Sequence, residues 1–144
     1  MSVKVLCSFL FLILILYSLG FRLLVVISDS MEPTIKRGSL VLVIPKWLKG
    51  PREGSIVLIR VRLSREYLIL HRIVRVNNGT YYTKGDNRAF LDPWTLKSDN
   101  IMGVAVLAIP YLGYFMLVMR PLAVLILIGL LVYYVVRRIL AKIL

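Results

Sequence analysis

The stretch YLILHRIVRVNNGTYYT at residues 67–83 decides the fold, because it predicts two β-strands joined by a tight turn. Tyr67 to Val76 is rich in aliphatic and β-branched residues, which favour a strand. Asn77-Asn78-Gly79 supplies residues that tolerate positive φ, as the short turn of a hairpin requires. Thr80 to Thr83 then predicts the returning strand. The middle of the chain is therefore expected to be an antiparallel sheet.

Further strands are predicted on both sides of this hairpin. Turn signals at Arg37-Gly38 and at residues 50–54 interrupt β-branched or alternating runs. Including the hairpin, the expected strands are residues 39–44, 55–62, 67–76, 80–83 and 104–109, with a loop at 85–100. The expected fold class is mostly β, a small antiparallel domain of short strands.

A long apolar run precedes this domain. Of the 144 residues, 59% are hydrophobic, above the roughly 45–50% of soluble domains. Residues 5–27 predict a transmembrane helix, since a helix of that length would rise about 35 Å and a bilayer core is about 30 Å thick. A cleaved signal peptide with its site at Ser18-Leu19-Gly20 is the alternative, and continuation of the apolar run past Gly20 disfavours it.

A second apolar run follows the domain. Residues 121–136, lengthened by Tyr111 to Met119, predict a second transmembrane helix. Basic residues flank the two runs and predict that both termini are cytoplasmic: Lys4, Arg137, Arg138 and Lys142. The expected division is an N-terminal anchor at 1–27, an outward-facing β domain at 28–110 and an apolar segment at 111–144.

The net charge of +12 would suggest a nucleic-acid partner in a soluble protein. Here all acidic residues lie between Asp29 and Asp99, together with most of the basic residues. The basic residues outside this stretch flank or interrupt the apolar runs, which favours contact with anionic lipid. No nucleic-acid motif accompanies the charge, so no nucleic-acid partner is expected. The single cysteine, Cys7, excludes an intramolecular disulfide and a thiolate metal cluster.

A nucleophilic site is the sharpest chemical hypothesis. Ser28-Asp29-Ser30-Met31-Glu32-Pro33-Thr34 follows the first apolar run, and its proline disfavours continuation of a helix. A serine hydroxyl needs an adjacent base, and His71 is the only histidine. Either Asp86 or Asp92 could orient its imidazole. Each of these residues also has a purely structural interpretation. The serines can form a polar collar where the apolar run ends, and His71 can be a core histidine on the face of Ile69 and Ile73. The two aspartates can be ordinary turn residues.

Four blocks together resemble the signal peptidase I family. In order they are Ser30-Met31-Glu32-Pro33-Thr34, Arg37-Gly38-Ser39-Leu40-Val41, His71-Arg72-Ile73-Val74 and Thr83-Lys84-Gly85-Asp86-Asn87. The third block has histidine where the typical bacterial enzymes have lysine. The chain therefore resembles the archaeal and endoplasmic-reticulum branch of the family.

This resemblance implies a membrane-bound serine endopeptidase that removes signal peptides from secretory preproteins without a cofactor or metal. It implies Ser30 as nucleophile, His71 as general base and Asp92 as the orienting acid. Ser28 matches the serine that assists the oxyanion hole, and Asp86 is expected to support its turn by accepting backbone N–H bonds. The implied location is the cell membrane or the endoplasmic-reticulum membrane, with the catalytic domain on the outer or lumenal side. Accessory membrane subunits are compatible with it.

Three positions qualify the resemblance. Asp29 stands where glycine is more usual, and in an extended segment it should point away from both serines. Ser39 stands where the family often has aspartate, and Lys84 is a weaker base candidate than His71. The alternatives are a non-catalytic membrane-anchored β domain that binds or scaffolds partners, and a related peptidase with other substrates. Convergence of Ser30, His71 and one aspartate would disfavour the scaffold.

Overall fold

The computed structural model describes residues 3–62 and 64–143 and consists of one antiparallel sheet with a helix at each end of the chain. The helices are α1 (Val3–Ser18) and α2 (Leu112–Ile143). The strands are β1 (Arg22–Val25), β2 (Leu40–Pro45), β3 (Ile56–Arg62), β4 (Glu66–Asn77), β5 (Thr80–Lys84) and β6 (Ile101–Ile109). The expected mostly β fold class is confirmed for the sheet.

The sheet has the strand order β1-β2-β6-β3-β4-β5, so its last strand in sequence is inserted between β2 and β3. Strands β1 and β5 form its two edges. The β4–β5 hairpin turns at Asn78 and Gly79, whose φ values are 46° and 74°. These positive values give a turn whose twist matches that of the flanking strands. The predicted hairpin is therefore confirmed.

The first apolar run does not form the expected helix over residues 5–27. Helix α1 ends at Ser18, and Arg22–Val25 instead form an edge strand that pairs with β2 from Arg22↔Val43 to Val25↔Leu40. The prediction was wrong beyond Ser18 because Gly20, with φ 97°, ends the helix, and β2 offers hydrogen-bond partners to the backbone of the residues that follow.

One helix in the described part of the chain is long and apolar enough to cross a membrane. It covers Leu112–Leu140 within α2. Its most apolar stretch has a mean hydropathy of 2.6, and no residue of that stretch is buried. The apolar part of α1, Cys7–Ser18, is shorter than a span. Two membrane-spanning helices were expected, and the described residues support one of them, by length and composition.

Two hydrophobic clusters lie on opposite faces of β3. Val57, Ile59 and Val61 face one cluster and Leu58 faces the other, as alternation along a strand requires. The second cluster also receives Met31, which is 1% exposed, and Ile35 from the segment that follows β1. Burying such a side chain stabilises by roughly 1.5–3 kcal/mol. The core thus fixes the backbone next to Ser30.

Candidate active site

His71 and Asp92 form a close buried pair. His71 lies on the same face of β4 as the buried Ile73, and its Nδ1 is 2.6 Å from Oδ2 of Asp92. Both side chains are 8% exposed. The hydroxyl of Thr83 donates to the same carboxylate oxygen at 2.6 Å. With Asp92 ionised, Nδ1–H is the donor, so Nε2 keeps its lone pair and can accept a proton.

The position of Asp92 is set by strand β5. Its backbone N–H donates to the carbonyl of Thr83 at 2.9 Å, and Thr83 is itself paired with Ile73 on β4. The loop from Thr83 to Asp92 therefore returns to the sheet beside the imidazole. Loop composition predicted that residues 85–100 are irregular, but not that they close back on β5.

Ser30 is held from two sides. Its neighbour Met31 is buried in the core, and the N–H of Asn87 donates to the Ser30 carbonyl at 2.9 Å. The Ser30 residue is 8% exposed. Its Oγ lies 3.3 Å from Oγ of Ser28, whose residue is exposed. The two serine hydroxyls therefore lie side by side, that of Ser28 at the surface and that of Ser30 largely buried.

Gly85 is the point at which Ser30 and His71 meet. A Cβ at this position would lie 2.6 Å from the Ser30 carbonyl oxygen and 3.1 Å from Nε2 of His71. Among the hydrogen bonds of the described residues, none joins Ser30 Oγ to His71. The structure thus brings Ser30, His71 and Asp92 to one place and leaves the serine–histidine contact unmade, as is common in enzymes without bound substrate.

Asp86 has a different partner. Arg72 donates to its carboxylate from Nε at 2.8 Å and from Nη2 at 2.6 Å. The hydrogen bond from Arg72 holds the pKa of Asp86 below its ordinary value, against the opposing effect of burial, and a hydrogen bond from Thr34 lowers it further. Asp86 was expected to accept backbone N–H bonds, and it binds a guanidinium instead.

Within the described residues, no group of three or more His, Cys, Asp or Glu side chains could hold a metal ion.

Asp29 makes an ion pair that was not predicted from the sequence. Arg88 donates from Nη2 to its Oδ1 at 3.0 Å, and the Asn87 amide donates to its carbonyl at 3.3 Å. The segment turns here, with the N–H of Glu32 donating to the Asp29 carbonyl, so the expected extended alternation does not apply. Nothing near Arg88 in the sequence signals this contact.

The sequence did not predict the surroundings of two buried hydroxyl residues, Thr83 and Ser39. Thr83 stands in the fourth matched block, which is the one sequence signal that could have identified it. Ser39 is fully buried, and its Oγ has no hydrogen-bond partner in the described structure. Lys84 points away from the Thr83 side of β5, as alternation along a strand requires.

An apolar cleft of about 300 Å³ adjoins Ser28. One wall is the run from Leu24 to Ser28, and the other is Leu68 to Leu70 on β4, with Leu58 also lining it. Of the candidate site residues, Ser28 is the one in this lining. The cleft can accept small apolar side chains of an extended peptide.

Residues 20–106 match the family model described as Peptidase S24-like. This range contains all five of the candidate site residues and five of the six strands completely. The chain belongs to the Peptidase S24-like family.

Relatives narrow the comparison within the Peptidase S24-like family. "Signal peptidase complex catalytic subunit SEC11C" of Homo sapiens, and that of Mus musculus, are 35% identical over 112 residues, which cover 68% of this chain and 57% of the relative. The SEC11 subunit of Leptosphaeria maculans is 32% identical over 107 residues, 64% of this chain and 60% of the relative. The chain thus spans somewhat over half the length of these relatives. The resemblance to the archaeal and endoplasmic-reticulum branch of signal peptidase I is confirmed.

Proposed function

We propose that this chain is a membrane-anchored serine endopeptidase that removes signal peptides from secretory preproteins. The observation that carries the proposal is the buried His71–Asp92 pair at 2.6 Å, with the Ser30 backbone and the free side of the imidazole meeting at Gly85. Membership in the Peptidase S24-like family and the similarity to signal peptidase catalytic subunits support the proposal.

In the proposed mechanism, Ser30 Oγ attacks the carbonyl carbon of the scissile bond while His71 Nε2 accepts its proton. Asp92 stabilises the imidazolium through Nδ1. The oxyanion accepts hydrogen bonds from the Ser30 N–H and the Ser28 hydroxyl, and such a donor is typically worth about 10²–10³ in turnover. His71 then protonates the leaving amine. Water, activated by the same imidazole, releases the peptide from Ser30 and restores the hydroxyl.

The proposed substrate binds as an extended peptide. Strand β1 ends the sheet order, so one side of it carries backbone groups without a neighbouring strand in the described fold. A peptide can add to such an edge by main-chain hydrogen bonds while its alternate side chains enter pockets. The apolar cleft beside Ser28 gives these side chains a place, and the family resemblance implies small residues at the first and third positions before the cut.

The proposed setting is a membrane. The long apolar part of α2 supplies an anchor, and the catalytic domain would lie on the outer side of the cell membrane or the lumenal side of the endoplasmic reticulum. The relatives are named as subunits of a complex, so accessory membrane subunits belong to the proposal. Signal peptides and membrane lipid are the other proposed partners.

Cleavage of a model preprotein by the purified full chain in lipid tests the proposal. Ser30→Ala should reduce cleavage to background with an unchanged melting temperature, whereas Ser28→Ala should retain weak activity. Ser64→Ala, at an exposed turn between β3 and β4, is the matched control and should cleave normally. A fully active Ser30→Ala variant would end the serine-peptidase proposal. Wild-type chain that binds preprotein but never cuts it would identify a non-catalytic binding domain.

A further inference from the structure

The loop between β2 and β3 presents aromatic and basic side chains to its surroundings. Residues 46–52, here called the β2–β3 loop, have the sequence Lys-Trp-Leu-Lys-Gly-Pro-Arg, with three basic residues and no acidic one. Trp47 is 65% exposed and Leu48 is 54% exposed. Neighbouring exposed apolar side chains rimmed by charge are typical of a contact surface.

This loop lies against the end of α1. The indole N–H of Trp47 donates to the carbonyl of Leu19 at 3.1 Å, just past the last residue of the helix. At the base of the loop, Pro45 packs so closely on Gly20 that a Cβ there would lie 3.1 Å from it. Two independent contacts therefore fix the loop beside the point where the apolar helix ends.

The end of α1 carries the same chemistry. The guanidinium of Arg22 lies 3.9 Å over the ring of Tyr17 and donates to the carbonyls of Tyr17 and Phe21. Tyr17, Arg22 and Trp47 thus surround one turn of backbone at the end of a helix whose described side chains are mostly apolar and exposed. Aromatic rings and long cationic side chains are the residues enriched at the interface between a bilayer and water.

We propose that the β2–β3 loop, with Tyr17 and Arg22, lies in the headgroup layer of the membrane and binds anionic lipid. Lys49 and Arg52 form no salt bridge among the described residues, so their charge is available to an anionic surface. Both also line a cavity of about 410 Å³, together with Glu53 and with Arg72, whose charge is paired with Asp86. Two basic side chains against the carboxylate of Glu53 leave this cavity with a net positive charge for a phosphate headgroup. The occupant is an anionic lipid surface, not a protein.

The β2–β3 loop lies away from the proposed nucleophile. The loop adjoins the Arg22 end of β1, whereas Ser28 and Ser30 follow the other end of that strand. It supplies a second attachment to the bilayer besides α2. Two attachments at opposite ends of one strand fix the orientation of the sheet relative to the membrane.

Tryptophan fluorescence of the full chain in lipid vesicles tests the proposal. The Trp94→Phe variant leaves Trp47 as the sole tryptophan, and phenylalanine can replace Trp94 because its indole nitrogen has no hydrogen-bond partner in the described structure. Lipids brominated near the headgroup should quench most of the Trp47 emission. A control variant with Trp47→Phe, Trp94→Phe and Tyr82→Trp, which reports from the opposite edge strand β5, should be quenched little.

Charge variants test the choice of lipid. In vesicles of phosphatidylcholine, adding phosphatidylglycerol should increase the quenching of Trp47, and Lys49→Gln with Arg52→Gln should remove that increase. Arg62→Gln with Arg65→Gln, at the other end of β3, is the matched control and should keep it. The proposal is overturned if, in protein that floats with the vesicles, Trp47 is quenched by iodide in water but not by brominated lipid. If Trp94→Phe does not fold, the emission of Trp47 is obtained by subtracting the emission of the Trp47→Phe variant from that of the wild type.

Discussion

Arg72 holds Asp86 through two hydrogen bonds, from Nε to Oδ1 at 2.8 Å and from Nη2 to Oδ2 at 2.6 Å. Arg72 directly follows His71 on β4, and Asp86 directly follows Gly85 in the loop that contacts Ser30. The pair therefore fixes the loop relative to the strand that carries the base. A carboxylate without any contact to the imidazole thus positions both halves of the candidate site.

Asp86→Asn should lower stability and activity together, by about 1–2 kcal/mol in unfolding free energy, because it removes a charge-assisted pair. The folded-state pKa of Asp86 is below its ordinary 3.8. Its stabilisation is therefore fully present above about pH 3.8 and is lost as the pH falls through the lower folded value. Melting temperatures across acid pH should fall more steeply for wild type than for the variant. Parallel curves would show that the pair contributes nothing.

Asp92→Asn should fold normally and lose about 10⁴-fold in turnover, since an amide favours the wrong imidazole tautomer. Thermal melting and preprotein cleavage of purified variants measure the two effects separately. Asp99→Asn, whose carboxylate is exposed and 3.8 Å from Lys46, is the control and should cleave at the wild-type rate. Normal cleavage by Asp92→Asn, together with a folded but inactive Asp86→Asn, would reverse the roles given to the two aspartates.

Gly85→Ala should abolish cleavage, because its Cβ would lie 2.6 Å from the Ser30 carbonyl oxygen and 3.1 Å from His71 Nε2. The serine segment and the imidazole would have to move apart, and an error of about 1 Å in a reacting pair can cost about 10²-fold. Gly50→Ala is the matched control, since a Cβ there meets nothing within 4 Å. Comparable activity of the two variants would show that Gly85 does not separate reacting groups.

Reversing one charge of the Asp29–Arg88 pair should raise KM or lower kcat by at most about fivefold, because both side chains are more than half exposed and such pairs contribute roughly 0.2–1 kcal/mol. The double variant Asp29→Arg with Arg88→Asp should recover most of the loss. Steady-state cleavage kinetics at low and high salt give the comparison. Without recovery in the double variant, the pair does not position the nucleophile segment.

Local sequence patterns predicted the middle strands because their signals are local. Alternation and β-branching specified β3 and β4, and the turn chemistry of Asn78 and Gly79 specified the hairpin. The close approach of His71 and Asp92 is not local, since the two residues are 21 positions apart and meet through a loop that closes on Thr83. Only the resemblance to a known family indicated that pairing.

The strand β1 was not predicted because a short, mostly apolar run has the same composition in a membrane helix and in a buried strand. Apart from Arg22, residues 21–27 continue the apolar character of α1, and Gly20 marks the change. What decides between the two structures is pairing with β2, whose residues are distant in sequence. The Asp29–Arg88 contact was missed for the same reason.

Strand β1 also acts as a rigid spacer. From Gly20, packed on Pro45, to Val26, whose N–H donates to Ser39, the extended backbone covers roughly 20 Å. Each residue between Arg22 and Val25 is paired with β2, so this length cannot stretch or shorten as a flexible linker would. The separation of the Ser30 segment from the end of α1 is therefore a constant of the molecule. Under the proposed activity, the point of cleavage on a preprotein is set by its distance from the end of α1 as well as by a preferred side chain.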